Sequence, residues 1–102
     1  MRTVNLCREV KSVNGRTVIN GGKPLLMNEV IAGCIGSLKS KDSVGAIKNY
    51  DLALKVINFK GEVKLEDVEY DKIKEALEKD MGYTDFIIGQ IYKILNEVKK
   101  EN

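Results

Sequence analysis

The chain of 102 residues has no histidine and no tryptophan, a single proline and only two cysteines. Each scarcity closes off a class of function. Without histidine there is no imidazole general base, no His-based catalytic triad and no zinc site of the His-containing kinds. Two cysteines fall short of a four-Cys site, and Cys7 and Cys34 stand in contexts too different to frame a disulfide scaffold. Both read as reduced thiols, with Cys34 packed as a small hydrophobe. Aromatic residues make up 6% of the chain, which argues against a sugar-binding platform or a base-stacking surface. No stretch approaches the ~18 consecutive apolar residues of a membrane span. The opening MRTVNLCREVKSVNG lacks the apolar segment of a secretory signal. We therefore expect a cytoplasmic protein with no membrane partner, no enzymatic activity, no metal and no cofactor.

What is present suits one domain, residues 1–102. The composition, 43% hydrophobic and 31% charged, is that of an ordinary globular protein. At this length folding can bury roughly two-thirds of the unfolded chain's surface. Charge is unevenly placed: ten basic residues stand against four acidic ones through Lys60, and seven against eleven beyond it. Such asymmetry fits either a nucleic-acid-facing half or mutual attraction between halves or subunits. The scattering of the basic residues favours the second.

Residues 1–20 read as a β-ribbon arm. Val4, Leu6 and Val10 are spaced among polar residues, and Asn14-Gly15 is a strong hairpin signal, placing the turn at Val13 to Arg16. "NGGKP" follows as a loop, ended by Pro24. A helical body spans 25–100. Helix one runs from about Leu25 to Leu38, with Met27, Val30, Ile31, Cys34, Ile35 and Leu38 on one face. Asp42 or Ser43 caps helix two, where Ile47, Tyr50, Leu54 and Ile57 form one stripe widened beyond a single seam by Ala46, Ala53 and Val56. So broad an apolar arc marks a central helix. Helix three starts at a cap on Glu66 or Asp67 and turns Val68, Ile73, Ala76, Leu77 and Met81 inward. Thr84 caps the last helix, which ends in a solvated "KKEN". Its isoleucine stripes exceed what one helix needs on a small domain. Gly89 within them, at about 1 kcal/mol cost to a helix, suggests close approach of another backbone. The fold class expected is mainly α: a compact four-helix domain with an N-terminal β-hairpin, α+β by strict count.

Motifs for chemistry are weak. The glycine pairs at Asn20 to Gly22 and Gly33 to Gly36 fit neither a P-loop nor a dinucleotide fingerprint. Glu66, Asp67, Glu69 and Asp71 lack calcium-loop spacing. The last helix is too apolar to lie in a DNA groove.

The order of pieces from Val13 to Leu95 resembles a family of small uncharacterised phage and prophage proteins. The matching pieces are Gly22 to Leu25, with "KPL" entering a helix, "YDLALKVI" at Tyr50 to Ile57, "EVKLED" at Glu62 to Asp67, and "IIGQIYKIL" at Ile87 to Leu95. Leu26 departs from the family's capping Ser or Thr, which opens a helix start at Asn28. The resemblance implies virion assembly or another accessory role, in the host cytoplasm or the virion. It supplies no catalytic residues.

The expected function is a non-enzymatic interaction or assembly protein that forms a homo-oligomer or binds another phage structural protein. Its expected contact residues are Val4 and Leu6 on the ribbon and Ile88, Ile91, Tyr92 and Leu95 on the last helix, with the alternative that all of them are core within the chain, an alternative that weighs about equally for the helix. The alternative is a small nucleic-acid-binding regulator using Arg2, Arg8 and Arg16.

Overall fold

The computed structural model describes residues 1–80 and 82–98. Among them the chain forms four strands and four helices, in the order β1 (Arg2–Asn5), β2 (Ile19–Asn20), β3 (Lys23–Pro24), α1 (Met27–Gly36), α2 (Ser43–Asn58), β4 (Glu62–Leu65), α3 (Asp67–Lys79) and α4 (Asp85–Glu97). This is a four-helix α+β fold. Met81 and the "KKEN" end lie outside the described residues.

The N-terminal strand pairs far along the chain. β1 runs antiparallel to β4, with Val4 opposite Val63 and Arg2 opposite Leu65. Alternation explains the choice, because Val63 and Leu65 point inward while Glu62 and Lys64 stay wet. Between β1 and α1 the chain folds back twice. The first turn lies at Ser12–Arg16, closed by bonds from Gly15 N–H to Ser12 O and from Ser12 N–H to Arg16 O. The second is the β2–β3 hairpin, whose loop residues Gly21 and Gly22 have φ of +61° and +80°. Two consecutive left-handed residues define the tight hairpin turn that glycine adopts without strain. The segment read as a plain loop is therefore a turn of defined shape.

Pro24 lies in β3 and not in a helix. The N–H of Leu25 donates to Val18 O, and Leu25 O accepts from Val10 N–H, so residue 25 belongs to the ladder. Helix α1 consequently starts at Met27, with Leu26 at the cap position and no capping side chain. In α3 the backbone N–H of Glu66 donates to the Glu69 carboxylate at 2.9 Å, which fixes the helix start where the sequence placed it. Thr84 holds the cap position of α4, but its hydroxyl makes no capping bond.

One hydrophobic cluster joins both ends of the chain. Val4, Leu6 and Val10 meet Ile31 and Ile35 of α1, Ile73 and Leu77 of α3, and Ile91 and Leu95 of α4. Val68, expected on the inner face of α3, is exposed, and Tyr70 takes that place with Ile73, Ala76 and Leu77. The radius of gyration is 13.4 Å, against ~13 Å for a well-packed chain of about 100 residues. Apolar surface left outside this core is thus not a product of loose packing.

Candidate interaction surface

Helix α2 is set in place from both ends. The Asp42 carboxylate accepts the Gly45 N–H at 2.7 Å, capping the first turn. A Cβ on Gly45 would stand 2.8 Å from Cβ of Ser40, so only glycine lets the preceding linker fold this tightly onto the helix. Lys55 Nζ lies 2.7 Å from Glu69 Oε1, linking α2 to α3. Asn28, buried at the start of α1, reaches the Val56 carbonyl with its Nδ2 at 3.5 Å. Its Oδ1 is buried without a hydrogen-bond partner among the described residues.

These ties turn Leu52 and Val56 into the core. The consequence for the rest of α2 is geometric. At 3.6 residues per turn, positions two and five away from Leu52 point to the opposite side. Those positions are Tyr50, Leu54, Ile47 and Ile57, and all of them are exposed, Ile47 at 60% and Tyr50 at 65%. Val44 at the start of α2 and Phe59 just past its end are exposed as well. The sequence reading made α2 a central helix with neighbours on several sides. The structure corrects this: α2 is apolar on two sides, and the narrower side packs on α1. Beside the stripe runs a shallow hollow lined by Ile35, Gly36, Leu38, Ala46, Tyr50 and Ala53.

The contact residues expected from sequence are placed differently. Val4, Leu6, Ile91 and Leu95 are buried in the chain's own core and offer no surface to a partner. Val4 sits opposite Val63 in the β1–β4 ladder, which replaces the free ribbon edge foreseen for it. Ile88 and Tyr92 are half-buried against the same core. Gly89 faces solvent, with nothing within 4 Å of the position a Cβ would take, so no backbone of this chain approaches it.

Of the three arginines considered for nucleic acid, Arg2 is engaged within the chain. Its guanidinium lies 4.1 Å from the centre of the Tyr70 ring, and its Nε is 3.7 Å from Asp67. Arg8 and Arg16 are exposed.

Two residues matter more than their sequence context suggested. Gln90 accepts the Lys11 N–H at 2.9 Å and donates to the Lys11 carbonyl at 2.6 Å. Its side-chain amide thereby stands in for a neighbouring strand and fastens the N-terminal arm to α4. Asn28 is the other, since a buried amide can be spotted only once its helix start is known. For Gln90 the available signal was a polar residue in an otherwise apolar helix.

Burial, then the neighbouring Asp80, pushes the Cys34 thiol up to about 12, so it stays protonated at neutral pH. Hydrogen bonds from Lys79 and Lys72 hold the Glu75 carboxyl below its ordinary range, as an exposed ion-paired side chain on α3. Among the described residues, no three His, Cys, Asp or Glu side chains gather as a metal site would require. No described helix is long and apolar enough to cross a membrane.

Fold and surface together define an α+β protein that leaves one apolar helix face uncovered. Comparison with protein-family models, curated proteins and solved structures finds no match for the chain.

Proposed function

We propose that the protein is a non-enzymatic interaction protein whose working surface is the outer face of α2. The observation that carries this reading is the row of Ile47, Tyr50, Leu54 and Ile57 on an otherwise well-packed molecule. At ~200 Å² for a fully exposed large side chain, four residues that are 38–65% exposed amount to an apolar strip on the order of 400 Å². The largest apolar patch on a folded monomer is typically ~300–600 Å² and is often functional. Exposed apolar rows of this kind work by being covered.

The phage and prophage element of the reading comes from the motif order between Val13 and Leu95. It supports an assembly or accessory role, acted out with copies of itself or with another phage structural protein. The "YDLALKVI" segment of that motif order is the stretch that carries most of the exposed row.

A photo-crosslinking phenylalanine analogue in place of Tyr50, in the cell that naturally makes the protein, tests the reading. A single adduct of defined mass is expected there, and none from the same probe at the exposed Lys93 of α4. Equal labelling from both positions, or from neither, would overturn the assignment of α2 as the working surface.

A further inference from the structure

We infer that the occupant of the α2 face is a second copy of this chain, docked by the outer side of α2 packing antiparallel on the same side of the partner's α2, about a two-fold axis at the level of residue 52 along the helix. This deepens the preceding reading and rests on it.

The spacing comes first. Ile47, Tyr50, Leu54 and Ile57 recur at three, four and three residues. That is the seam with which two helices pair at a shallow crossing angle. An occupant matching it is another helix with the same seam, and each copy supplies one.

The area agrees. A stable complex needs about 800 Å² from each partner. The apolar strip supplies about half of that, and the flanking Val44 and Phe59, both exposed, extend it with the small residues beside Tyr50. A two-fold contact uses one patch twice, so no second surface has to exist. A helix of 16 residues is about 24 Å long, enough for the seam to run its whole length.

Charge fixes the direction. Lys39 and Lys41 lie just ahead of the Asp42 cap, beside the positive end of the helix dipole. Parallel pairing would gather four such lysines and two positive helix ends at one point. Antiparallel pairing separates them to opposite ends of the dimer. It sets Ile47 against the partner's Ile57 and Tyr50 against the partner's Leu54. The hollow between α1 and α2 then receives the partner's larger side chains.

Disulfide trapping of purified protein tests the arrangement. In a Cys7→Ser background, Ile47→Cys and Ile57→Cys are made separately. Both positions are exposed, so folding is checked simply by circular dichroism. The buried thiol of Cys34 does not compete, being protonated up to about pH 12. Mixing the two variants under mild oxidation is expected to trap a covalent dimer at least tenfold faster than either variant alone. Self-linking of each variant at equal or greater rate would mean parallel pairing and overturn the inference. A chain that stays monomeric by mass and traps nothing overturns it too. If the Tyr50 probe still captures one other protein in that case, the proposed function survives with a different partner. If the probe captures nothing either, both fall together.

Discussion

Helix α4 turns Ile91 and Leu95 into the core and lays Ile87, Ile88, Tyr92 and Ile94 along its margin. Helix α2 turns Leu52 and Val56 inward and leaves Ile47, Tyr50, Leu54 and Ile57 outside. Both helices carry broad apolar surface, so hydrophobicity alone does not explain why one is filled and the other bare. The difference lies in what surrounds them. Three side chains tie α4 to the rest of the chain: Gln90 bonds the Lys11 backbone, Tyr92 OH donates to Lys74 O at 3.0 Å, and Tyr70 OH of α3 donates to Leu95 O of α4 at 2.6 Å. Helix α2 packs along one side on α1 and has Lys55 reaching α3, while its opposite side meets no other element strongly. A helix apolar on two sides needs two partners, and the described residues supply one.

The largest expected effect separates the two helices by stability. Leu95→Ala, in the core, is expected to cost about 2–5 kcal/mol. Leu54→Ala, at the bare face, should stay within about 0.5 kcal/mol for the monomer. Urea unfolding at a concentration low enough to keep the chain monomeric measures both. Similar losses at the two sites would erase the contrast.

Gln90→Ala comes next. It removes both bonds to the Lys11 backbone while leaving the apolar margin of α4 intact, and the exposed arm can turn to water. The expected loss is about 1–2 kcal/mol, with faster hydrogen exchange at the Lys11 amide. Unchanged exchange there would mean that the arm is held by other contacts.

Gly89→Ala sharpens the comparison from the other direction. The space beside Gly89 is open, and alanine is better in a helix by about 0.5–1 kcal/mol. The variant should therefore be more stable and associate as the wild type does. Weakened association would return the interface to α4.

At neutral pH the smallest effect concerns Cys34. Its pKa in the folded chain is raised from 9.0 to about 12 by burial first, with Asp80 adding to it. A raised thiol pKa leaves stability untouched below the unfolded value. Between pH 9 and 12 the unfolded chain gains charge that the folded one refuses, so this contribution falls as pH rises. Replacing Cys34 by alanine should flatten that part of the profile in chemical denaturation.

Much of the local structure was legible in the sequence because it depends on neighbours along the chain. The Asp42 and Glu66 helix starts, the Asn14-Gly15 turn and the inner face of α1 are of this kind. The pairing of β1 with β4 was not legible, since Val4 and Val63 are joined only by folding. The face of α2 was misread for a related reason. Periodicity shows that Ile47, Tyr50, Leu54 and Ile57 share a side, but not whether the chain has anything to put against it. The greasier-looking α4 drew the interface expectation, yet its Ile91 and Leu95 belong to the chain's own hydrophobic cluster and Ile87, Ile88, Tyr92 and Ile94 pack against it.

Sedimentation equilibrium over a wide concentration range, at low and moderate salt, tests the central claim most directly when three chains are compared. The wild type and Lys93→Glu, on the exposed side of α4, should both form a dimer that salt does not dissolve. Leu54→Glu should sediment as a folded monomer at every concentration. A monomeric wild type, or a dimer that survives Leu54→Glu but is lost with Lys93→Glu, would contradict the account.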